Sequence, residues 1–113
     1  MTLLCQSLVP EAFSGKNDQT ALVERGEYLV TISGCDDCHT PKKFTEKGPE
    51  LDKSRRLSGH PANDKLPTSG YSVVGKDKWG ALMNHHVTAF VGPWGATFAP
   101  NLTPDKQTGI GLW

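Results

Sequence analysis

The sequence predicts one small, mainly α domain, with short helices and long loops around a filling that its own side chains do not supply. Three observations carry this expectation. The chain has 113 residues, room for one core and no second. Hydrophobic residues make up 36% of it, while 12 glycines and 8 prolines mark a loop-rich chain, well above the ~12% glycine plus proline of an average protein. Its one strongly periodic segment has the period of a helix. A chain this short of aliphatic core is marginal alone, and such domains commonly rely on a disulfide, a metal or another staple.

Lysine plus arginine and aspartate plus glutamate each number 12, so the formal charge is zero. That sets aside a strongly basic nucleic-acid binder. No apolar run approaches the ~18 residues of a transmembrane helix. The start, Met1-Thr2-Leu3-Leu4-Cys5, lacks the basic region of an intact signal peptide.

Residues 1–17 show no periodicity and read as a flexible N-terminal arm. From Asp18 to Ser33 the pattern is that of an amphipathic helix. Leu22, Val23, Gly26, Leu29, Val30 and Ser33 share one arc, and Glu24, Glu27 and Thr31 lie opposite. Asn17 or Asp18 caps the start and Gly34 supplies the stop. Gly26 in mid-helix costs about 1 kcal/mol against alanine, which implies that another backbone crosses there. Lys42 to Arg56 carries six cations and three anions, and reads either as a solvated loop or as a docking patch for an acidic partner. Residues 57–78 are turn-rich. Tyr71 to Val74 and Val87 to Val91 are short apolar runs, brief strands or extended loops. From Gly92 onward turn residues dominate, and the chain has no repeat and no low-complexity tract.

Three cysteines, Cys5, Cys35 and Cys38, argue against a disulfide framework, because their number is odd and two are close together. Cys35-Asp36-Asp37-Cys38-His39 is a C-x-x-C-H motif placed just past the helix. Two thiols at this spacing on a turn reach the two vinyl groups of one haem and form thioether bonds. The adjacent His39 is then held under the iron as an axial ligand. A covalently bound haem becomes a permanent part of the core, which answers the shortage of aliphatic side chains. Two other readings compete. A thioredoxin-like dithiol wants its cysteines at a helix start after a strand, whereas here a helix precedes them. A zinc site would use Cys35 and Cys38 with two of His39, His60, His85 and His86; against it, His85 and His86 are adjacent rather than spaced as in a zinc finger.

The stretch Arg25 to Val30 followed by Gly34-Cys35-Asp36-Asp37-Cys38-His39-Thr40-Pro41-Lys42 resembles the haem domain of bacterial class I-like c-type cytochromes. Leu57-Ser58-Gly59-His60-Pro61-Ala62, Phe90 to Gly95, Asn101 to Asp105 and Thr108 to Gly111 are similar to a periplasmic branch related to cytochrome subunits of membrane dehydrogenases. The resemblance covers residues 20–113. It implies a cytochrome c-like domain over 18–113, mainly α, with short helices and long loops wrapped around one covalently bound haem. It further implies Cys35 and Cys38 as thioether anchors, His39 as the iron ligand, and Gly26 at a crossing with a last helix. A backbone carbonyl in the Pro100 to Pro104 loop would accept the other imidazole N–H of His39.

In this family the second axial ligand is usually a methionine near the C-terminus, followed by a final helix. The methionines here are Met1 and Met83, so the sequence reads as C-terminally incomplete, without that loop and helix. Met83 is expected to pack, and His85 and His86 to be exposed or hydrogen-bonded; each is a substitute distal ligand only as a lesser alternative. The α1 face bearing Leu22, Gly26, Leu29 and Val30 is then expected to be under-covered.

The function implied is a single-electron carrier that passes electrons between periplasmic or membrane redox partners, dehydrogenase or oxidase subunits among them. The alternatives are a small zinc-binding interaction domain and a haem-binding sensor or remnant with an open iron site. No second constellation of nucleophile, base or acid pair suggests an enzyme. Covalent haem attachment is made outside the bacterial cytoplasm, so the resemblance implies the periplasm or the periplasmic face of a membrane. Cys5 is either a lipidated tether or a stray thiol.

Overall fold

The computed structural model describes residues 17–68 and 70–113. Residues 1–16 of the expected arm, including Met1 and Cys5, lie outside these, and Asn17 is already the first residue of a helix. Helix α1 runs Asn17–Ile32, within a residue of the expected bounds. Ser33 N–H donates to Leu29 O (3.0 Å) and Gly34 N–H to Thr31 O (3.2 Å), closing its last turn. Gly34 then reverses the chain in the left-handed region, φ 66°, and the short helix α2, Cys35–His39, starts at once.

The α1 face expected to be under-covered is partly open: Leu22 is 59% exposed and Leu29 43%, while Gly26 and Val30 are half-buried. The expected crossing at Gly26 is not there. A methyl group built on Gly26 would meet nothing within 4 Å, so its cost in helix propensity is not offset by a close backbone among the described residues.

The mainly α, cytochrome c-like class is corrected by the remainder of the chain, where five short strands in two antiparallel sheets outweigh two single helical turns and make the domain mixed α and β. The charged stretch read as a loop forms an antiparallel hairpin, β1 (Lys42–Thr45) with β2 (Gly48–Leu51), in register Lys42↔Leu51 and Thr45↔Gly48. The two-residue loop Glu46-Lys47 is fastened by Thr45, whose Oγ1 accepts from Lys47 N–H (3.2 Å) and donates to Gly48 O (3.0 Å). A 3-10 turn, Lys53–Arg55, follows. Gly70–Val73, containing most of the run read as a strand or extended loop, is a single turn of helix, α3. Strands β3 (Leu82–Met83), β4 (Ala89–Gly92) and β5 (Gly95–Phe98) form a second antiparallel sheet in the order β3-β4-β5. Pro93-Trp94 is the two-residue loop between β4 and β5, with Gly92 paired to Gly95.

Strand β4 overlaps the run Val87 to Val91, read as a brief strand or extended loop; the other four strands escape detection because each is two to four residues long and leaves half or more of its side chains exposed. A short strand wet on both faces has no alternation of polar and apolar residues to read.

The core is as sparse as composition implies. Among the described residues the buried hydrophobic side chains are Ala89 and Val91, and the fully buried bulk comes from Thr40, Thr88 and Pro41. Every buried side-chain nitrogen or oxygen among the described residues has a partner, as burial without water requires. What is buried is therefore a hydrogen-bonded seam between residues 39–41, 57–60, 84–91 and 99–102. The Cys-His turn sits at one edge of that seam.

Candidate functional site

Cys35 and Cys38 lie on one turn of α2, three positions apart, which puts both side chains on one face. Both thiols are free and half-buried. His39 closes the turn. Its Nδ1–H donates to the carbonyl of Pro100 at 2.9 Å, across 61 residues of sequence. A carbonyl oxygen can only accept, so this bond fixes the proton on Nδ1 and leaves the Nε2 lone pair as the nitrogen able to bind a metal. Histidines that ligate metals characteristically have their other ring nitrogen tied in this way.

The Pro100 carbonyl is held by a ladder of backbone bonds. Gly59 N–H donates to His39 O (2.8 Å), His60 N–H to Ala99 O (2.9 Å), Leu102 N–H to Leu57 O (2.8 Å) and Ala99 N–H to Thr88 O (2.8 Å). Segment 57–60 thus lies between the His39 turn and segment 99–102. His60, expected as a turn residue, locks the same seam: its Nε2–H donates to Asp64 O (3.2 Å), and its Nδ1 accepts from the Thr88 hydroxyl (3.0 Å).

A second set of contacts fixes α2 from behind, through Arg56. Arg56 forks onto Asp36, one of the two residues between the cysteines, with Nε at 3.0 and 3.1 Å from the two carboxylate oxygens and Nη2 at 2.9 Å from Oδ2. Its Nη1 reaches Glu27 Oε1 on α1 at 2.9 Å. Buried Thr40 adds its hydroxyl, which donates to Asp36 Oδ1 (2.8 Å) and accepts from Leu57 N–H (2.9 Å). The Arg56 hydrogen bonds hold the Asp36 carboxyl below the usual carboxylate range; partial burial opposes them and Thr40 assists. One guanidinium therefore joins α1, α2 and the 56–60 segment. A signal for it existed in the sequence only as one of six cations in a charged stretch.

That stretch presents less free positive charge than its composition suggests. Arg56 is occupied as above, Arg55 pairs with Asp52 (2.8 Å), and Lys42 Nζ donates to Asp37 O (2.7 Å) and Thr40 O (3.0 Å).

Among the described residues, the cysteines are not brought together with the other histidines. The one group of three or more potential ligands is Asp64, His85 and His86, which contains neither Cys35 nor Cys38. His85 is exposed; His86 is half-buried and its Nδ1 accepts from Lys42 N–H at 3.1 Å. Met83, expected to pack, is 63% exposed on β3. It lines a cleft of about 420 Å³ with Leu66, Val73, Leu82 and Val91.

The donor set of α2 fits a c-type haem: two free thiols on one face, and an imidazole whose second nitrogen is already engaged by a carbonyl. No helix among the described residues is long and apolar enough to cross a membrane. No family model, curated protein or solved structure matches this chain.

Proposed function

We propose that the chain is a c-type haem protein that carries single electrons, with Cys35 and Cys38 as thioether anchors and His39 as an iron ligand. The observation that supports this best is the His39 Nδ1–H···O=C Pro100 bond. In a C-x-x-C-H turn it points the chemistry at Nε2 and fixes the ring before any metal arrives. Bound haem would supply an iron that cycles between ferric and ferrous states. The chain's own residues hold and orient: α2 presents the thiols, Pro100 orients the imidazole, and Arg56 with Thr40 keeps the turn from moving.

The scarcity of buried hydrocarbon supports the same reading, since a covalently fixed macrocycle adds apolar bulk to a domain that buries little of its own. On this reading the chain works in the periplasm or at the periplasmic face of a membrane, where c-type haem is attached, and its partners are redox proteins. The zinc alternative using the cysteines gains no support, because the described histidines other than His39 do not converge on them.

The test is expression with haem-maturation machinery, followed by a haem stain on a denaturing gel. Haem that stays with the polypeptide, and is lost from a Cys35→Ser/Cys38→Ser chain, is the expected result. Colourless protein from a host that matures other c-type cytochromes overturns the reading. His39→Ala should retain covalent haem while changing its axial-ligand spectrum.

A further inference from the structure

We propose that Asp64, His85 and His86 form a separate metal site for a borderline divalent ion such as Zn²⁺. Each offers one ligand atom, and the three atoms lie within 4.8 Å of one another. The inference is independent of the haem reading, since neither cysteine nor His39 takes part.

The cluster is built by one buried residue, Asn84. Its Oδ1 accepts from Thr88 N–H (2.9 Å) and Ala89 N–H (3.0 Å), and its carbonyl accepts from Val87 N–H (2.9 Å). This folds residues 84–87 into a tight turn between β3 and β4 and holds Val87 at φ 58°, a conformation a β-branched residue rarely adopts. The turn displays two consecutive imidazoles, ring centroids 4.2 Å apart. The same Asn84 donates through Nδ2 to Asp64 Oδ2 at 3.0 Å. Asp64 is also anchored by its backbone, N–H to Pro61 O (3.0 Å) and O from His60 Nε2–H (3.2 Å). Both halves of the cluster are therefore positioned by one side chain, as carboxylate ligands commonly are by a hydrogen-bond donor behind them.

Two imidazole nitrogens and one carboxylate oxygen suit Zn²⁺, Cu²⁺ or Ni²⁺ rather than Mg²⁺ or Ca²⁺, which prefer all-oxygen sets. Bonds of roughly 2.0–2.2 Å draw the three donors closer together than they stand now. Exposed His85 has the rotamer freedom to make most of that movement, and a fourth position remains for water. His86 adds a specific consequence. Its Nδ1 accepts from Lys42 N–H, so the uncharged ring carries its proton on Nε2. Ligation through Nε2 places that proton on Nδ1, and the Lys42 amide loses its acceptor.

The experiment is a calorimetric titration of the untagged full chain with zinc chloride, with His85→Asn and Asp64→Asn as variants and magnesium chloride as a control ion. The Lys42 amide is followed by hydrogen exchange. The expected result is one zinc per chain, at least tenfold weaker binding in each variant, and no saturable magnesium binding. Zinc should also accelerate Lys42 exchange in the parent chain and not in His85→Asn. A Cys35→Ser/Cys38→Ser chain should keep this zinc, which separates the site from the thiols. Absence of saturable binding, or binding unchanged by both substitutions, overturns the proposal. Equal thermal midpoints of the metal-free chains show that the variants fold.

Discussion

The α-carbon of Gly59 rests against the carbonyl of Pro100: a methyl group built there would stand 2.6 Å from the carbonyl carbon and 2.7 Å from its oxygen. That oxygen is the acceptor of the His39 imidazole, and Gly59 N–H donates to His39 O. Gly59 is thus the spacer that brings both ends of the His39 seat together, and its φ of 75° adds a conformational demand to the spatial one.

These two demands can be separated by comparison with Gly95, which also has a positive φ, 101°, but no atom near its missing Cβ. Gly95→Ala should cost only the left-handed penalty, about 1–2 kcal/mol. Gly59→Ala adds a clash with backbone and should cost about 1–3 kcal/mol more. Denaturant midpoints of the two variants check this. Equal costs would mean that the Pro100 carbonyl shifts freely, and that its place opposite His39 is not fixed by Gly59.

Arg56 bridges two carboxylates in different surroundings, and the surroundings decide which bond matters. Glu27 is 65% exposed, whereas the Asp36 side chain is 15% exposed. Glu27→Gln is therefore expected to change stability by no more than about 1 kcal/mol. Arg56→Met removes charge-assisted bonds from a half-buried carboxylate and should cost clearly more than Glu27→Gln. Arg56→Lys should restore only part of that, because an ammonium cannot fork onto Asp36 and reach Glu27 together. Urea unfolding of the three chains, with far-UV dichroism to show retained folding, gives the ranking. A Glu27→Gln loss equal to that of Arg56→Met would refute it.

The same carboxylate sets an acid limit. The folded Asp36 carboxyl is depressed, chiefly by the Arg56 hydrogen bonds, so the unfolded chain binds its proton at higher pH than the folded one. Stability from this group is fully present above the unfolded value, about 3.9, and is lost as pH falls from there through the lower folded value. The midpoint-against-pH curve of the parent chain should fall below about pH 4 more steeply than that of Asp36→Asn. Parallel curves would show that Asp36 contributes no proton linkage.

How far the sequence could be read follows from range. Helix α1 was legible because its signal is local: a 3.6-residue period ending at Gly34. The candidate site was legible at Cys35, Cys38 and His39 because the chemistry demands adjacency in the chain. The resemblance also pointed to a carbonyl in the 100–104 loop, and Pro100 is the one that meets His39. Arg56 and Asn84 were not legible, since each acts by joining segments that are distant in sequence, and a lone arginine or asparagine has no pattern. The hairpin of β1 and β2 was not legible for a different reason. Lys42-Lys43-Phe44-Thr45 pairs through its backbone with side chains left wet, so its composition reads as loop. The expected crossing at Gly26 failed because it rested on a partner helix that the described residues do not include.

Exposure along α1 runs against the usual weight placed on leucine. Leu22 is 59% exposed while Val91 is 8% exposed. Removing two buried methyl groups by Val91→Ala should cost about 1–2 kcal/mol, at roughly 0.8 kcal/mol for each. Leu22→Ser removes more hydrocarbon, yet from a surface already wet, and should stay within about 0.5 kcal/mol. Thermal or urea unfolding of the two variants decides the order. If Leu22→Ser proved the costlier, the open face of α1 would have to be covered in solution, and a concentration dependence of the loss would distinguish a second copy of the chain from a contact within it.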